Sequence, residues 1–271
     1  MRFLKTLLIC AALTGPDALV AQDTQLEKLS SLDATKEWQA VGRLNMGVSG
    51  FCTGTLIAPD LVLTAAHCMF DSKTGERFED QTIEFLAGWR AGRASAYRGI
   101  RQSIVHASYV YNGAENTDHV SSDIAILQLD QPIRHPSIRP FDTRRNVAEG
   151  QELTVVSYAK DRSNAPSLQD SCRVLAKNPG VYVTSCDVDF GSSGSPVFVV
   201  EEGRARIMSV VSAKAEWRSQ KVSLTVGVEH RLDELIAQLK TSDGVFQKPK
   251  AGKRLTFQSG LQPSGARFIK P

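Results

Sequence analysis

The 271 residues are 42% hydrophobic and 23% charged, which excludes a disordered chain and a membrane-embedded one. The net charge of +3 is unevenly spread: residues 241–271 hold Lys248, Lys250, Lys253, Arg254, Arg267 and Lys270 against Asp243 alone, so that stretch carries +5 and the rest −2. A near-neutral body offers no basic face to a phosphate backbone, and nucleic acid is not expected as a partner.

The chain opens on Arg2 and Lys5, followed by an apolar run at 7–13 that is too short to cross a bilayer. This has the form of a secretory signal, 1–21, with cleavage expected after Ala21 and no membrane attachment afterwards. Residues 22–36 are polar and read as an N-terminal arm or short propeptide. Short runs rich in β-branched residues and bounded by Gly, Pro, Asn or Asp then predict strands at 41–48, 53–57, 61–64, 82–86, 101–106 and 124–129. Residues 130–146, with Pro132, Pro136 and Pro140, suit a connection between two halves. A second series follows at 151–158, 172–176, 181–186, 196–200, 205–212 and 222–228. Many short strands with turn signals argue for an all-β sandwich or barrel. Leu232, Leu235, Ile236 and Leu239 share one face of a helix predicted over 231–240. Residues 241–271, rich in Gly, Lys, Pro and Ser, read as a flexible basic tail.

Removing the signal leaves Cys52, Cys68, Cys172 and Cys186. No C-x-x-C pair suggests zinc or redox chemistry, and an exported chain is expected to form disulfides. Four cysteines allow three pairings. The acidic residues Asp71, Glu76, Glu79 and Asp80 match no metal-ligand spacing, so no metal is expected. His106, His119, His135 and His230 lack a catalytic context and read as surface or structural residues.

Three segments carry chemistry. Cys52-Thr-Gly-Thr-Leu-Ile leads into Leu63-Thr-Ala-Ala-His67-Cys68; Ser122-Asp123-Ile-Ala-Ile-Leu follows; Gly191-Ser-Ser193-Gly-Ser-Pro196 comes last. Acyl transfer by serine needs a hydroxyl, a base to take its proton and a carboxylate to orient that base. Here they arrive in the order His, Asp, Ser, and Ser195 stands where an α/β-hydrolase elbow needs glycine. Gly191 and Gly194 allow a tight turn around Ser193.

Together these segments resemble the signatures of the trypsin-like serine peptidases, in that family's order. The resemblance implies an all-β, chymotrypsin-like fold of two packed six-stranded antiparallel barrels with a C-terminal helix. The first barrel would span 37–135 with His67 and Asp123, and the second 136–230 with Ser193. Ser193 is then the nucleophile, His67 the general base and Asp123 its orienting carboxylate, with the Gly191 and Ser193 amides as oxyanion hole. The resemblance pairs Cys52 with Cys68, which leaves Cys172 with Cys186. It implies a secreted or periplasmic monomeric serine endopeptidase without cofactor, meeting polypeptide substrates and protein inhibitors. A catalytically silent binding or adhesion protein on the same scaffold is the alternative class.

Two departures matter. Animal digestive relatives carry Asp immediately before the nucleophile, to pair with a new N-terminus after zymogen cleavage; here it is Ser192. Ser-Gly-Ser-Pro instead resembles a bacterial branch that includes glutamyl endopeptidases, whose specificity pocket uses a histidine. The expected wall strand, Val210-Val211-Ser212-Ala213-Lys214, has no histidine, so glutamate preference is not expected. Asp187, six residues before Ser193, falls by resemblance at the pocket floor, with Ser212, Ala213 and Lys214 beside it. A carboxylate there implies preference for Arg or Lys, unless Lys214 neutralises it.

Overall fold

The structure, a computed structural model, describes residues 23–47, 50–112, 120–144, 146–241 and 266–268. The expected signal, 1–21, lies outside them, as do His119 and most of the tail. Two closed barrels dominate. The first is built from β2 (Val41–Met46), β3 (Gly50–Ala58), β4 (Leu61–Thr64), β5 (Ile83–Ala87), β6 (Ala96–Val105) and β7 (Ala125–Leu129). They run in the order β2-β3-β4-β7-β6-β5 and close where β5 pairs β2. The second uses β8 (Glu152–Ser157), β9 (Ser167–Asn178), β10 (Val181–Thr184), β11 (Pro196–Glu201), β12 (Arg204–Trp217) and β13 (Gln220–Gly227). It closes where β8 pairs both β9 and β11. The chain therefore has the two six-stranded antiparallel barrels and the C-terminal helix, α2 (Glu229–Thr241), of the chymotrypsin-like fold.

Burial explains the closure. Leu44, Leu56, Val62, Phe85 and Ile126 fill the first barrel, all fully buried. The same apolar cluster continues into Tyr158, Phe198, Val210 and Val226 of the second half, so the barrels share a core. Val155, Tyr182, Val197, Met208 and the Cys172–Cys186 disulfide fill the second barrel. Each such side chain contributes about 1.5–3 kcal/mol relative to exposure. Leu232 and Leu235 bury one face of α2 against the shared core. His106, itself buried, holds that helix to the first barrel by a 2.8 Å bond to Glu234. No helix among the described residues is long and apolar enough to cross a membrane.

Both ends of the described chain add strands. In the N-terminal arm, the Thr24 amide donates to the Ser171 carbonyl, β1 (Glu27–Lys28) pairs with β9, and Leu29 is buried. A one-turn helix α1 (Leu32–Thr35), capped by the Ser31 hydroxyl, then leads into β2. At the other end β14 (Ala266–Phe268) pairs with Ala215–Trp217 of β12. This corrects the expectation of a tail loose throughout: these three residues are strand. Strand β12 also runs five residues past its predicted end. It turns back through Arg218 and Ser219, both at positive φ (50° and 61°), the geometry of a two-residue hairpin loop.

Candidate active site

His67 lies in a single 3-10 turn, Ala66–Met69, directly after β4. Ala65 and Ala66 before it are fully buried, so only small side chains fit there. Asp123 stands two residues before β7 with its side chain only 4% exposed. Its Oδ1 accepts the His67 backbone N–H at 2.8 Å, and its Oδ2 lies 2.7 Å from His67 Nδ1. A carboxylate only accepts here, so the ring proton sits on Nδ1, and Nε2 keeps its lone pair. The Ser212 hydroxyl donates to the same Oδ2 at 2.5 Å. Ser212 thus serves Asp123 with its side chain, although the sequence places it only on a pocket wall.

The turn carrying Ser193 belongs to the second barrel but is seated on the first. The Thr53 amide donates to the Ser193 carbonyl at 2.8 Å, and the Thr53 hydroxyl donates to the Gly191 carbonyl at 2.9 Å. Cys52, next to Thr53, is bonded to Cys68, next to His67. One strand end therefore ties the Ser193 turn and the His67 turn together. Gly191 and Gly194 have φ of 95° and 79°. A Cβ on Gly191 would overlap the Phe51 ring, and one on Gly194 would overlap Thr64 Oγ1 and the Thr53 carbonyl. Both glycines are needed for left-handed backbone and for close packing. Among the described residues, neither the Gly191 nor the Ser193 amide donates a hydrogen bond. Two N–H donors on one turn are thereby left without an acceptor among the described residues.

Charge gathers beneath and beside this turn. Arg162 has a side chain only 13% exposed. It donates to the Ser157 hydroxyl at 3.0 Å and reaches the Ser192 hydroxyl at 3.4 Å. Burial lowers its pKa, while Asp161, Asp187 and Asp189 oppose that fall. At Asp189, partial burial pushes the carboxyl upward, but the Phe190 amide, Lys214 and Arg162 outweigh it and hold the group below the usual range. Lys214 pairs with Asp189 at 3.3 Å and not with Asp187. Asp187 is exposed. Its amide donates to Oε1 of buried Gln169, whose amide nitrogen in turn donates to the Thr24 carbonyl. A cavity of about 200 Å³ lies between residues 185–188 and the side chains of Lys214, Lys221 and Val222. Ala213 is buried on the same strand.

Sequence reading misses Arg162, Gln169 and the bond from Ser212 to Asp123, because none carries a local pattern. The disulfides are Cys52–Cys68 and Cys172–Cys186. The sole His/Cys/acid grouping of metal-site dimensions among the described residues is Cys52, His67 and Cys68, whose two sulfurs are bonded to each other.

Comparison with known proteins gives this geometry its context. Residues 52–206, more than half of the chain, match the trypsin-like peptidase domain. A glutamyl endopeptidase of Bacillus licheniformis is 24% identical over 156 residues, covering 57% of this chain and 47% of that protein. A modular serine protease of Drosophila melanogaster is 31% identical over 115 residues, 38% of this chain and 17% of that protein. The chain thus spans about half, or less, of the length of these relatives. A solved structure of a Glu endopeptidase in complex with MPD superposes with a TM-score of 0.63 at 19% identity, over 82% of this chain and 99% of that one. That likeness is one of fold. With the family match extending from the His67 segment to beyond the Ser193 turn, the chain belongs to the trypsin-like peptidase domain family.

Proposed function

We propose that the protein is an exported serine endopeptidase with His67, Asp123 and Ser193 as its catalytic triad. The observation that carries the reading is the two-point hold of Asp123 on His67, through the backbone N–H and through Nδ1. This fixes the ring and its tautomer, so that Nε2 can accept a proton. Ser193 Oγ attacks the scissile carbonyl carbon as its proton passes to Nε2. The carbonyl oxygen becomes an oxyanion met by the Gly191 and Ser193 amides, each worth about 3 kcal/mol in comparable sites. The imidazolium then protonates the departing amine as the C–N bond breaks. Water, deprotonated by the same Nε2, hydrolyses the acyl-enzyme. The two disulfides and the signal-like N-terminal sequence support export to an oxidising compartment.

The test is labelling by a serine-reactive fluorophosphonate, together with hydrolysis of a general peptide substrate. Wild type should label at Ser193, and Ser193→Ala should lose about 10⁴- to 10⁶-fold in turnover while remaining folded. Undiminished hydrolysis by the variant would sink the assignment. A wild type that neither labels nor cleaves would be a binding homologue.

For specificity, the reading is a cavity bounded by Asp187 and Lys214, with Ala213 next to Lys214 on the same strand, that accepts Arg or Lys before the scissile bond. Its support is that Lys214 is engaged by Asp189, leaving Asp187 exposed and without a salt bridge among the described residues. A second reading, an acidic side chain, is favoured by Lys221 in the same cavity. Matched chromogenic peptides ending in Arg, Glu or Phe separate the two, and a Glu or Phe preference removes Asp187 from its role.

A further inference from the structure

The geometry points to a second occupant of the candidate active-site cleft: the protein's own C-terminal segment. We propose that Ala266–Phe268 covers the open edge of β12 in cis, holding the enzyme in a self-occluded form. The inference rests on the peptidase reading above.

The two edges of β12 are covered unequally. Strand β13 pairs with one edge from Ser209 to Trp217. Strand β11 pairs with the other edge only from Arg204 to Val210. It stops there because Pro196 starts β11, and the five residues before it form the turn carrying Ser193. That turn makes the last contacts on this side: the Gly194 amide donates to the Val211 carbonyl, and the Val211 amide to the Ser195 carbonyl. From Ser212 onward β11 does not extend along this edge. The first residue of that stretch is the one whose hydroxyl holds Asp123. The bare edge therefore starts at the triad and leads away from it.

An uncovered edge presents backbone donors and acceptors that any extended chain can satisfy, with little regard to sequence. Here β14 satisfies them. It is antiparallel to β12, with Phe268 opposite Ala215, Arg267 opposite Glu216 and Ala266 opposite Trp217. Strand β13 already holds the other edge of these same three residues, so β14 must lie on the edge that leads from Ser212. Its chain direction runs toward the triad, and its last residue is opposite a position three residues, roughly 10 Å, from Ser212. A substrate strand delivering a carbonyl to Ser193 along this edge, with its reacting residue opposite Ser212, would meet the main-chain groups of Ala215–Trp217 with its fourth to sixth residues before the scissile bond. Only one strand can hold them at a time. The tail is tethered by the 24 residues between Thr241 and Ala266 in the sequence. A tether of this length gives an effective concentration on the order of millimolar, enough for a weak three-residue pairing to compete.

The test compares full-length wild type with Arg267→Pro and Phe268→Pro. In an antiparallel pair, successive residues point their amides to opposite sides, so one of these two donates to β12 and its replacement by proline removes the bond. The substrate is a chromogenic peptide with at least six residues before the scissile bond, long enough to lie opposite Ala215–Trp217. At least one variant should show KM lowered about five- to tenfold with kcat within twofold of wild type. A synthetic peptide of residues 262–271 should restore competitive inhibition in that variant, and hydrogen exchange over 212–217 should accelerate. KM and exchange unchanged in both variants would overturn the proposal. So would a fall in kcat with KM unmoved, which would make the tail structural. Wild-type hydrolysis separates the two failures: its presence keeps the peptidase reading whatever the tail does, and its absence in every form ends both.

Discussion

Replacing Arg162 with Met should cripple turnover more than it cripples binding. The guanidinium sits under the Ser193 turn, largely buried, bonded to Ser157 and reaching Ser192, the residue just before Ser193. Ser192 is fully buried, and its hydroxyl also lies 3.2 Å from the Asp189 amide, which donates to it. Met keeps the aliphatic stem but removes the donors and a charge facing Asp161, Asp187 and Asp189. The contacts to the Ser157 carbonyl and to Ser192 are long, at 3.3 and 3.4 Å, so we count one full charge-assisted bond, about 1.5–3 kcal/mol. If that energy holds the Gly191 and Ser193 amides in place for the oxyanion, kcat should fall about 10- to 100-fold, with KM for a small substrate changed less than threefold. Arg162→Lys keeps the charge, but one ammonium cannot span Ser157 and Ser192 as a guanidinium does, so it should be intermediate. The assay is steady-state hydrolysis referred to active sites counted with a fluorophosphonate, alongside a thermal melt. A Met variant that is destabilised yet keeps kcat within twofold would refute the reasoning, because Arg162 would then only hold the fold.

The barrels were legible because their strands are short β-branched runs between turn residues, and period-two burial leaves that mark directly in sequence. Strand β12 was legible only to Ser212. Beyond it, Ala213 and Ala215 are buried between half-buried Lys214 and exposed Glu216, but alanine is a poor strand former. The hairpin that follows uses Arg218 and Ser219 where Asn-Gly would have announced it. The cleft shows the same division. The segments around His67, Asp123 and Ser193 stand out because their small and glycine neighbours are demanded by crowding. The partners of those residues come from elsewhere: Ser212 reaches Asp123 from 89 positions away, and Arg162 reaches Ser192 from 30. A lone Arg in a 3-10 turn or a Ser in a strand gives no local sign of such a contact. Lys214 illustrates the limit in register. The sequence put it near a carboxylate, and the structure pairs it with Asp189, two residues beyond the one expected.

Two further predictions concern the parts that hold His67. Replacing Cys52 and Cys68 together with Ala removes a bridge spanning 16 positions, for which the chain-entropy view gives about 3 kcal/mol; denaturant unfolding that moved by less than about 1 kcal/mol would show that the barrel closes without it. The second sets Ser212→Ala against Asp123→Asn. Asp123 takes three donors: the His67 amide on Oδ1, and His67 Nδ1 and the Ser212 hydroxyl on Oδ2. Losing the Ser212 hydroxyl leaves both contacts to His67, so the ring keeps its place and tautomer, and kcat should fall no more than about tenfold. Asparagine cannot accept on both sides. With its oxygen facing the His67 amide, its NH₂ group faces Nδ1, which must then become the acceptor. The ring proton moves to Nε2, the nitrogen that takes the proton of Ser193 in the proposed mechanism. The loss should be about 10⁴-fold, as in comparable triads, and should ease at high pH if hydroxide can substitute for the missing base. The comparison is read from kcat at matched active-site concentrations across pH. Were Ser212→Ala as damaging as Asp123→Asn, the hold on Asp123 would come from the hydroxyl and not from the His67 backbone.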